Sequence, residues 1–179
     1  MARTGQADEA GRLHARVDVA GSGKARVVTG LPVLDHLLGL FTEYASFDLV
    51  LEIAPGEAEA EVAAAGRALG QALNDALRAE RSRGHGSAVV PADEALAHVV
   101  VDASGRPLVV SNVDLSDARV AGLASDIVAT FLRELAEGAG LTLHVRLIEG
   151  SDPEHVLEAI FKALGVALAQ SCRTRRRED

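Results

Sequence analysis

Apolar and polar positions alternate through Arg12 to Asp18, which predicts a strand. Gly21-Ser22-Gly23-Lys24 supplies a turn and Ala25 to Thr29 a second strand, so the pair reads as a hairpin. After Pro32, Leu34, Leu37, Leu38 and Phe41 recur at helical spacing and predict a helix over Val33 to Tyr44. Phe47 to Ile53 reads as a strand ending in a Pro55-Gly56 turn, and the Ala-rich stretch Val62 to Leu77 reads as a second helix. Beyond Arg83-Gly84-His85-Gly86, the segments Ser87 to Val90, Leu96 to Asp102 and Leu108 to Val113 read as strands, with a turn at Ser104-Gly105-Arg106-Pro107. Ser125 to Gly138 returns to helical spacing and Leu141 to Ile148 alternates as a strand. Pro153 to Gln170 is helical, with Ser151 or Asp152 as its N-cap.

Helix, strand, helix therefore occurs twice. Phe47-Asp48-Leu49-Val50-Leu51 lies 94 residues before Leu141-Thr142-Leu143-His144-Val145, and Arg67-Ala68-Leu69-Gly70 lies 95 before Lys162-Ala163-Leu164-Gly165. Strand, turn and helix match in register together, which predicts an internal duplication. The expected architecture is one α+β domain over residues 1–179, with halves at about 12–85 and 86–171. Each half is a β-sheet with helices on one face, and the two share a core. Residues 172–179 form a basic tail, expected to be solvated.

Composition narrows the function. A chain of 179 residues, 48% hydrophobic, supports a single compact domain. Eighteen Lys and Arg against 26 Asp and Glu give a net charge of −8, the wrong sign for neutralising phosphates along a nucleic acid. Five aromatics, none of them Trp, leave little for base stacking. One cysteine, Cys172, excludes an internal disulfide and a Cys-based zinc cluster and fits a reducing cytoplasm. The N-terminal residues lack the apolar run of a secretory signal, and no apolar stretch is long enough to span a membrane. Neither nucleic acid nor membrane is an expected partner.

Candidate chemistry is concentrated in a few polar positions. The last helix opens with Glu154-His155-Val156-Leu157-Glu158, so Glu154, His155 and Glu158 can share a face near its N-terminus, and imidazole with carboxylate suits Mn2+, Zn2+ or Fe2+. The same spacing also suits a solvated first turn favoured by the helix dipole. His144 points away from Leu143, Val145 and Leu147 on its strand, and Asp35-His36 sits at the start of the first helix. Arg106 on a tight turn and Lys162, about two helical turns after His155, are candidates for holding phosphate or carboxylate.

Six motifs occur in the order found in imidazoleglycerol-phosphate dehydratases. They are Thr29-Gly30-Leu31-Pro32-Val33-Leu34-Asp35-His36, Gly66-Arg67-Ala68-Leu69-Gly70-Gln71-Ala72-Leu73, Pro91-Ala92-Asp93-Glu94-Ala95-Leu96, Val101-Asp102-Ala103-Ser104-Gly105-Arg106-Pro107, Gly140-Leu141-Thr142-Leu143-His144 and His155-Val156-Leu157-Glu158-Ala159-Ile160-Phe161-Lys162-Ala163. The resemblance to that family covers roughly Leu13 to Ser171. It implies a duplicated fold resembling ribosomal protein S5 domain 2, assembled through trimers into a 24-subunit homo-oligomer with active sites between subunits. It also implies dehydration of a small phosphorylated imidazole, imidazoleglycerol phosphate, to imidazoleacetol phosphate in histidine biosynthesis, with two Mn2+ ions holding the imidazole as an imidazolate. Carried over residue by residue, His36, His144, His155 and Glu158 stand at metal-ligand positions, Glu158 and His36 are the catalytic candidates, and Arg106 and Lys162 stand at phosphate contacts.

The departures are as specific. Where the family has His-His-Thr-Val-Glu-Asp, this chain has Glu59-Ala60-Glu61-Val62-Ala63-Ala64, and Glu154 replaces the first of a second histidine pair. Glu59 and Glu154 are further candidate oxygen ligands. The family's N-terminal glutamate falls at Ala10, beside Glu9, and a family arginine falls at Gly84, beside Arg83. Alanine donates no lone pair, so the donor set is reduced. Two readings of function follow: a dehydratase working with an altered or single metal, and a non-catalytic relative that keeps the oligomeric scaffold and weak ligand binding.

Overall fold

A computed structural model describes residues 13–175 apart from Asp117, Ala121 and Ser125. Ala10 and Glu9 lie outside the described residues. The first half comprises β1 (His14–Asp18), β2 (Ala25–Val28), α1 (Pro32–Ala45), β3 (Asp48–Glu52) and α2 (Ala58–Leu77). β3 occupies the centre of its sheet, antiparallel to β1 and parallel to β2. The expected β1–β2 hairpin is therefore corrected. β3 presents Leu49 and Leu51, both buried, and takes the middle position, while the β1–β2 connection arches across its end. That arch is tied down by Gly23 N–H to Phe47 O and by the N–H groups of Ser22 and Lys24 to Asp48 Oδ1, at 2.8 and 3.0 Å. A two-residue turn would have placed β1 and β2 side by side.

The second half comprises β4 (His85–Ala92), β5 (Ala95–Asp102), β6 (Leu108–Ser111), α3 (Ile127–Ala139), β9 (Thr142–Glu149) and α4 (Pro153–Cys172). A small hairpin, β7 (Arg119–Val120) with β8 (Leu123–Ala124), was not expected from the sequence, because two-residue strands carry no periodicity. The larger sheet has the order β4-β5-β9-β6, with β9 antiparallel to β5 and parallel to β6. This repeats the arrangement β1-β3-β2, with β4 added at one edge through a hairpin. α2 starts a turn earlier than its predicted start at Val62: Ala58–Glu61 alternates Ala and Glu, which favours helix but shows no apolar stripe. The tail departs from the solvated expectation over its first residues. Arg83 N–H donates to Arg173 O and Arg175 N–H to Arg81 O.

α1 packs on α4 and α2 on α3, and all four cover one side of the sheets. The duplication extends to atomic contacts. A Cβ on Gly70 would fall 2.6 Å from Leu135 O and 2.9 Å from Ala139 N, and one on Gly165 would collide with Phe41 O and Ala45 N. Leu135 and Ala139 stand 94 residues after Phe41 and Ala45, and Gly165 stands 95 after Gly70, so both seams close on the same glycine. Both first helices also end in a left-handed residue, Ser46 at φ 56° and Gly140 at φ 64°.

Candidate functional site

The site is built where α1 meets α4. The turn before α1 is fixed by a buried knot in which Asp35 Oδ1 accepts the N–H of Thr29 at 3.0 Å and its hydroxyl at 2.6 Å. Gly30, at φ 81°, lets the chain turn into Pro32 at the head of the helix. With Asp35 held inward, His36 faces α4, and its Nε2 lies 2.8 Å from Glu158 Oε1. The Glu158 side chain is 18% exposed and His36 53%, so the carboxylate is largely covered while the ring reaches solvent. An ionised carboxylate has no proton to give, so the imidazole is the donor.

α4 opens with Asp152 as its N-cap, accepting the N–H of Glu154 at 2.9 Å. The β4–β5 turn docks against this end. Asp93 takes φ 48°, a conformation Asp tolerates, and the hairpin closes so tightly that Glu94 is carried back onto α4. Glu94 Oε1 accepts the N–H of Asp152 at 2.9 Å, while Oε2 accepts Nδ1–H of His155 at 2.6 Å. Asp93 Oδ2 approaches Nε2 of the same ring to 3.4 Å. The Asp152 N–H and the imidazole together hold the Glu94 carboxyl down at about 2. The hydrogen bond to Glu94 raises His155 above the usual imidazole value, against a smaller opposing effect of burial, and the nearby Asp152 and Asp93 charges add to the rise.

The predicted donors thus fall into separate places. Glu158 faces His36 on α1, whereas His155 faces the β4–β5 turn. Glu154 lines a shallow depression with Pro32, His36, Leu37, Val120 and Leu157. Glu59 is exposed on the first turn of α2 in the other half, and His144 is exposed on the sheet face opposite the helices, between Val100 and Val110. No three His, Cys, Asp or Glu side chains among the described residues gather into a group able to hold a metal.

Arg106 lies in the loop whose Ser104 hydroxyl meets Thr142 Oγ1 at 2.9 Å, at the start of β9. The α4 N-terminus follows the far end of the same strand. Eight residues of β9 separate the two, roughly 23 Å at 3.3 Å per residue. Lys162 sits on α4 with its ammonium 5.5 Å from the centroid of the Tyr44 ring and makes no ion pair among the described residues. Arg83 donates to His85 Nε2 at 3.2 Å, away from this cluster. Sequence reasoning assigned no role to Asp93 and Glu94. An adjacent acidic pair on a two-residue turn between alternating strands was the available signal, but its contact with His155 spans 61 residues.

The family model for imidazoleglycerol-phosphate dehydratase matches residues 29–168, from the Thr29 knot to beyond Lys162. The chain belongs to the imidazoleglycerol-phosphate dehydratase family. It is 39% identical over 176 residues to the dehydratase of Acetivibrio thermocellus, covering 96% of this chain and 88% of that protein. It is 43% identical over 167 residues to that of Syntrophobacter fumaroxidans, covering 90% and 84%. The crystal structure of the Staphylococcus aureus dehydratase superimposes with a TM-score of 0.88 at 31% identity, covering 98% of this chain and all of that one. The Pyrococcus furiosus enzyme, in complex with (S)-C348, gives 0.82 at 29%, covering 97% and 96%. The dehydratase fold of duplicated halves is therefore the fold of this chain, and every candidate from His36 to Lys162 lies inside the matched segment. Among the described residues no helix is long and apolar enough to cross a membrane.

Proposed function

We propose that the chain is a hydro-lyase that dehydrates imidazoleglycerol phosphate to imidazoleacetol phosphate in histidine biosynthesis, working with Mn2+ as a cytoplasmic homo-oligomer. The observation that carries this reading is the His36–Glu158 pair at 2.8 Å, inside a segment matched by the dehydratase family model. The lone Cys172 supports a reducing compartment; burial pushes its thiol up to about 12, which keeps it unreactive.

The donor chemistry fits Mn2+, which accepts both imidazole nitrogen and carboxylate oxygen. The candidates for holding it, His36, His144, His155 and Glu158, with Glu59 and Glu154 as further oxygen donors, do not converge among the described residues of one chain, so a centre built from them needs donors from more than one copy. When bound, the ion supplies electrostatic stabilisation to a substrate imidazole ring that gains negative charge. The protein's own residues do the rest. Glu158 holds His36 in one orientation and exchanges a proton with it along their hydrogen bond, and Lys162 and Arg106 bind the phosphate. Arg106 belongs to the loop at the start of β9, whereas the α4 N-terminus follows its end, an arrangement that supports a site completed by a second copy of the chain.

The test is formation of imidazoleacetol phosphate by purified protein with added Mn2+, beside Glu158→Ala. Product that disappears in the variant supports the reading. Absence of product at every Mn2+ concentration would leave the non-catalytic relative.

A further inference from the structure

A cavity of about 250 Å3 opens between α3, α4 and the β6 edge of the larger sheet, with the segment 111–116 along one side. Val145 of the sheet, Leu132 of α3 and Leu157 and Ile160 of α4 form its floor, and each of them is at most 5% exposed. The polar side chains that line it, Ser111, Asp114, Ser116 and Asp126, are all exposed, which puts them at the mouth. An apolar cavity of about 150 Å3 is enough to take up benzene. This one therefore has room for a ring and a short chain, and its floor offers water no hydrogen-bonding side chain. Leu157 also lines the depression that contains His36 and Glu154, so the cavity and the candidate site share a wall.

The two aspartates set the charge of an occupant. Asp126 takes the N-cap position of α3, where an Asp side chain ordinarily accepts a helix N–H, yet it makes no such bond. Its carboxylate is not spent on the helix. Asp114 Oδ1 accepts the Ser116 hydroxyl at 2.8 Å and the Ser116 N–H at 3.2 Å, which leaves Oδ2 without a partner among the described residues. Those bonds hold the Asp114 carboxyl below its ordinary value, so it is ionised at neutrality. Neither aspartate forms an ion pair among the described residues, and no Lys, Arg or His lines the cavity. Unbalanced negative charge at the mouth of an apolar space favours a cationic head on an apolar body and disfavours an anion such as a phosphate ester.

We propose that this cavity is a binding site for a small organic cation with an apolar body, of the arylalkyl amine class, distinct from the His36–Glu158 pair and separated from its depression by Leu157.

Isothermal titration calorimetry of the full-length protein at neutral pH tests this with 2-phenylethylamine, 2-phenylethanol and phenylacetate. The three probes share a body and differ in charge. The amine should bind about two- to fivefold more tightly than the alcohol, the range of a partly exposed ion pair, and phenylacetate should bind most weakly. Asp126→Asn should shrink the amine's advantage, and Asp114→Asn combined with Asp126→Asn should abolish it while the alcohol binds as before. Ala129 lines the cavity and is itself exposed, so a ring introduced there occupies the mouth without entering the core. Ala129→Phe should weaken all three probes at least about tenfold. Should that variant fail to fold, Ala129→Leu is expected to give a smaller loss in the same direction.

Equal affinities for amine and alcohol, or an amine preference that survives removal of both carboxylates, overturn the cation assignment. Binding that is indifferent to Ala129→Phe and Ala129→Leu places the probe elsewhere and overturns the site, as does the absence of binding by any probe. None of the substituted residues belongs to the His36–Glu158 pair or to the phosphate-binding candidates, so the outcome is independent of whether the chain dehydrates its substrate.

Discussion

The two halves share a skeleton and differ in chemistry. With α4 laid on α2, Glu154, His155, Glu158 and Lys162 stand where Glu59, Ala60, Ala63 and Arg67 stand, and with α1 laid on α3, His36 stands where Thr130 does. One helix pair therefore carries an imidazole–carboxylate couple at its mouth, and its pseudo-symmetric mate carries Thr and Ala. The cations differ too. Arg67 is engaged by Glu134 on α3, with its Nε 2.9 Å from the carboxylate, whereas the residue corresponding to Glu134 is Leu40, so no carboxylate at that position competes for Lys162. Packing is shared between the halves, whereas His155 and Glu158 are matched on α2 by alanines and only Glu154 and Lys162 by like residues, Glu59 and Arg67, as expected if the glycine seams answer to folding and the polar mouth answers to ligand.

The largest predicted effect tests that asymmetry. Glu158→Ala should lower turnover by at least about 100-fold, the usual scale for loss of a group that takes part in proton transfer. Ala63→Ser, at the matched position, should leave turnover within about twofold, since Ala63 offers no donor to lose. Lys162→Gln should raise KM for the phosphorylated substrate more than it lowers kcat, and Arg67→Gln should do neither. Steady-state kinetics with saturating Mn2+ separate these outcomes. Equal losses on both sides would mean that the first half has kept a function its side chains do not reveal.

The glycine seams test the shared skeleton, and here the halves should agree. Gly70→Ala and Gly165→Ala each drive a methyl group into a backbone carbonyl of the facing helix, which cannot swing aside as a side chain would. Overpacking of this kind costs about 1–3 kcal/mol, and each kcal/mol lowers the unfolding midpoint by roughly 2–4 °C in a chain of this size. Calorimetry of both variants should give similar losses. A loss at one seam only would show that the pseudo-symmetry is geometric without being energetic.

Much of this comparison was legible in the sequence, for a definite reason. The 94- and 95-residue offsets are long, in-register repeats of buried positions, and burial leaves a strong periodic trace. The position of β3 between β1 and β2 was not legible, because strand order depends on which strand is most apolar and on an Asp48 side chain that ties down a distant loop. The individual donors at the site could be picked out by residue type, but their grouping could not. Glu154, His155 and Glu158 look like one cluster on a helical projection, yet Glu94 and His36 draw His155 and Glu158, respectively, to different elements. Those partners are 122 residues away in the case of His36 and 61 in the case of Glu94, beyond any local pattern.

A smaller effect concerns the ion pair across the α2–α3 seam. Glu134 is 13% exposed and Arg67 60%, so the pair is half in solvent and its contribution is screened. Glu134→Gln should cost about 0.2–1 kcal/mol and leave kinetics unchanged. Leu40→Glu makes the converse change. It gives Lys162 the partner that Arg67 has, and it should raise KM by removing a free cation from the substrate. Unchanged KM in Leu40→Glu would mean that Lys162 does not bind the phosphate.

The smallest effect separates the two loops that lead into the sheets. In the first half the β1–β2 arch is held by the Asp48 carboxylate, whereas the matched residue in the second half is Thr142, a neutral hydroxyl bonded to Arg106 O at 3.0 Å. The N–H groups of Ser22 and Lys24 hold Asp48 below its ordinary value. A carboxyl whose folded pKa lies below its unfolded value of about 3.9 contributes stability that is fully present above that value and is lost as pH falls through the folded one. Acid should therefore loosen the first arch and spare the second. In urea titrations, Asp48→Asn should be less stable than the unaltered chain near neutrality, and the gap should close as the pH is lowered through the carboxylate range. A gap that stays constant with pH would mean that Asp48 acts by shape alone, and the two loops would then be held by equivalent, uncharged contacts.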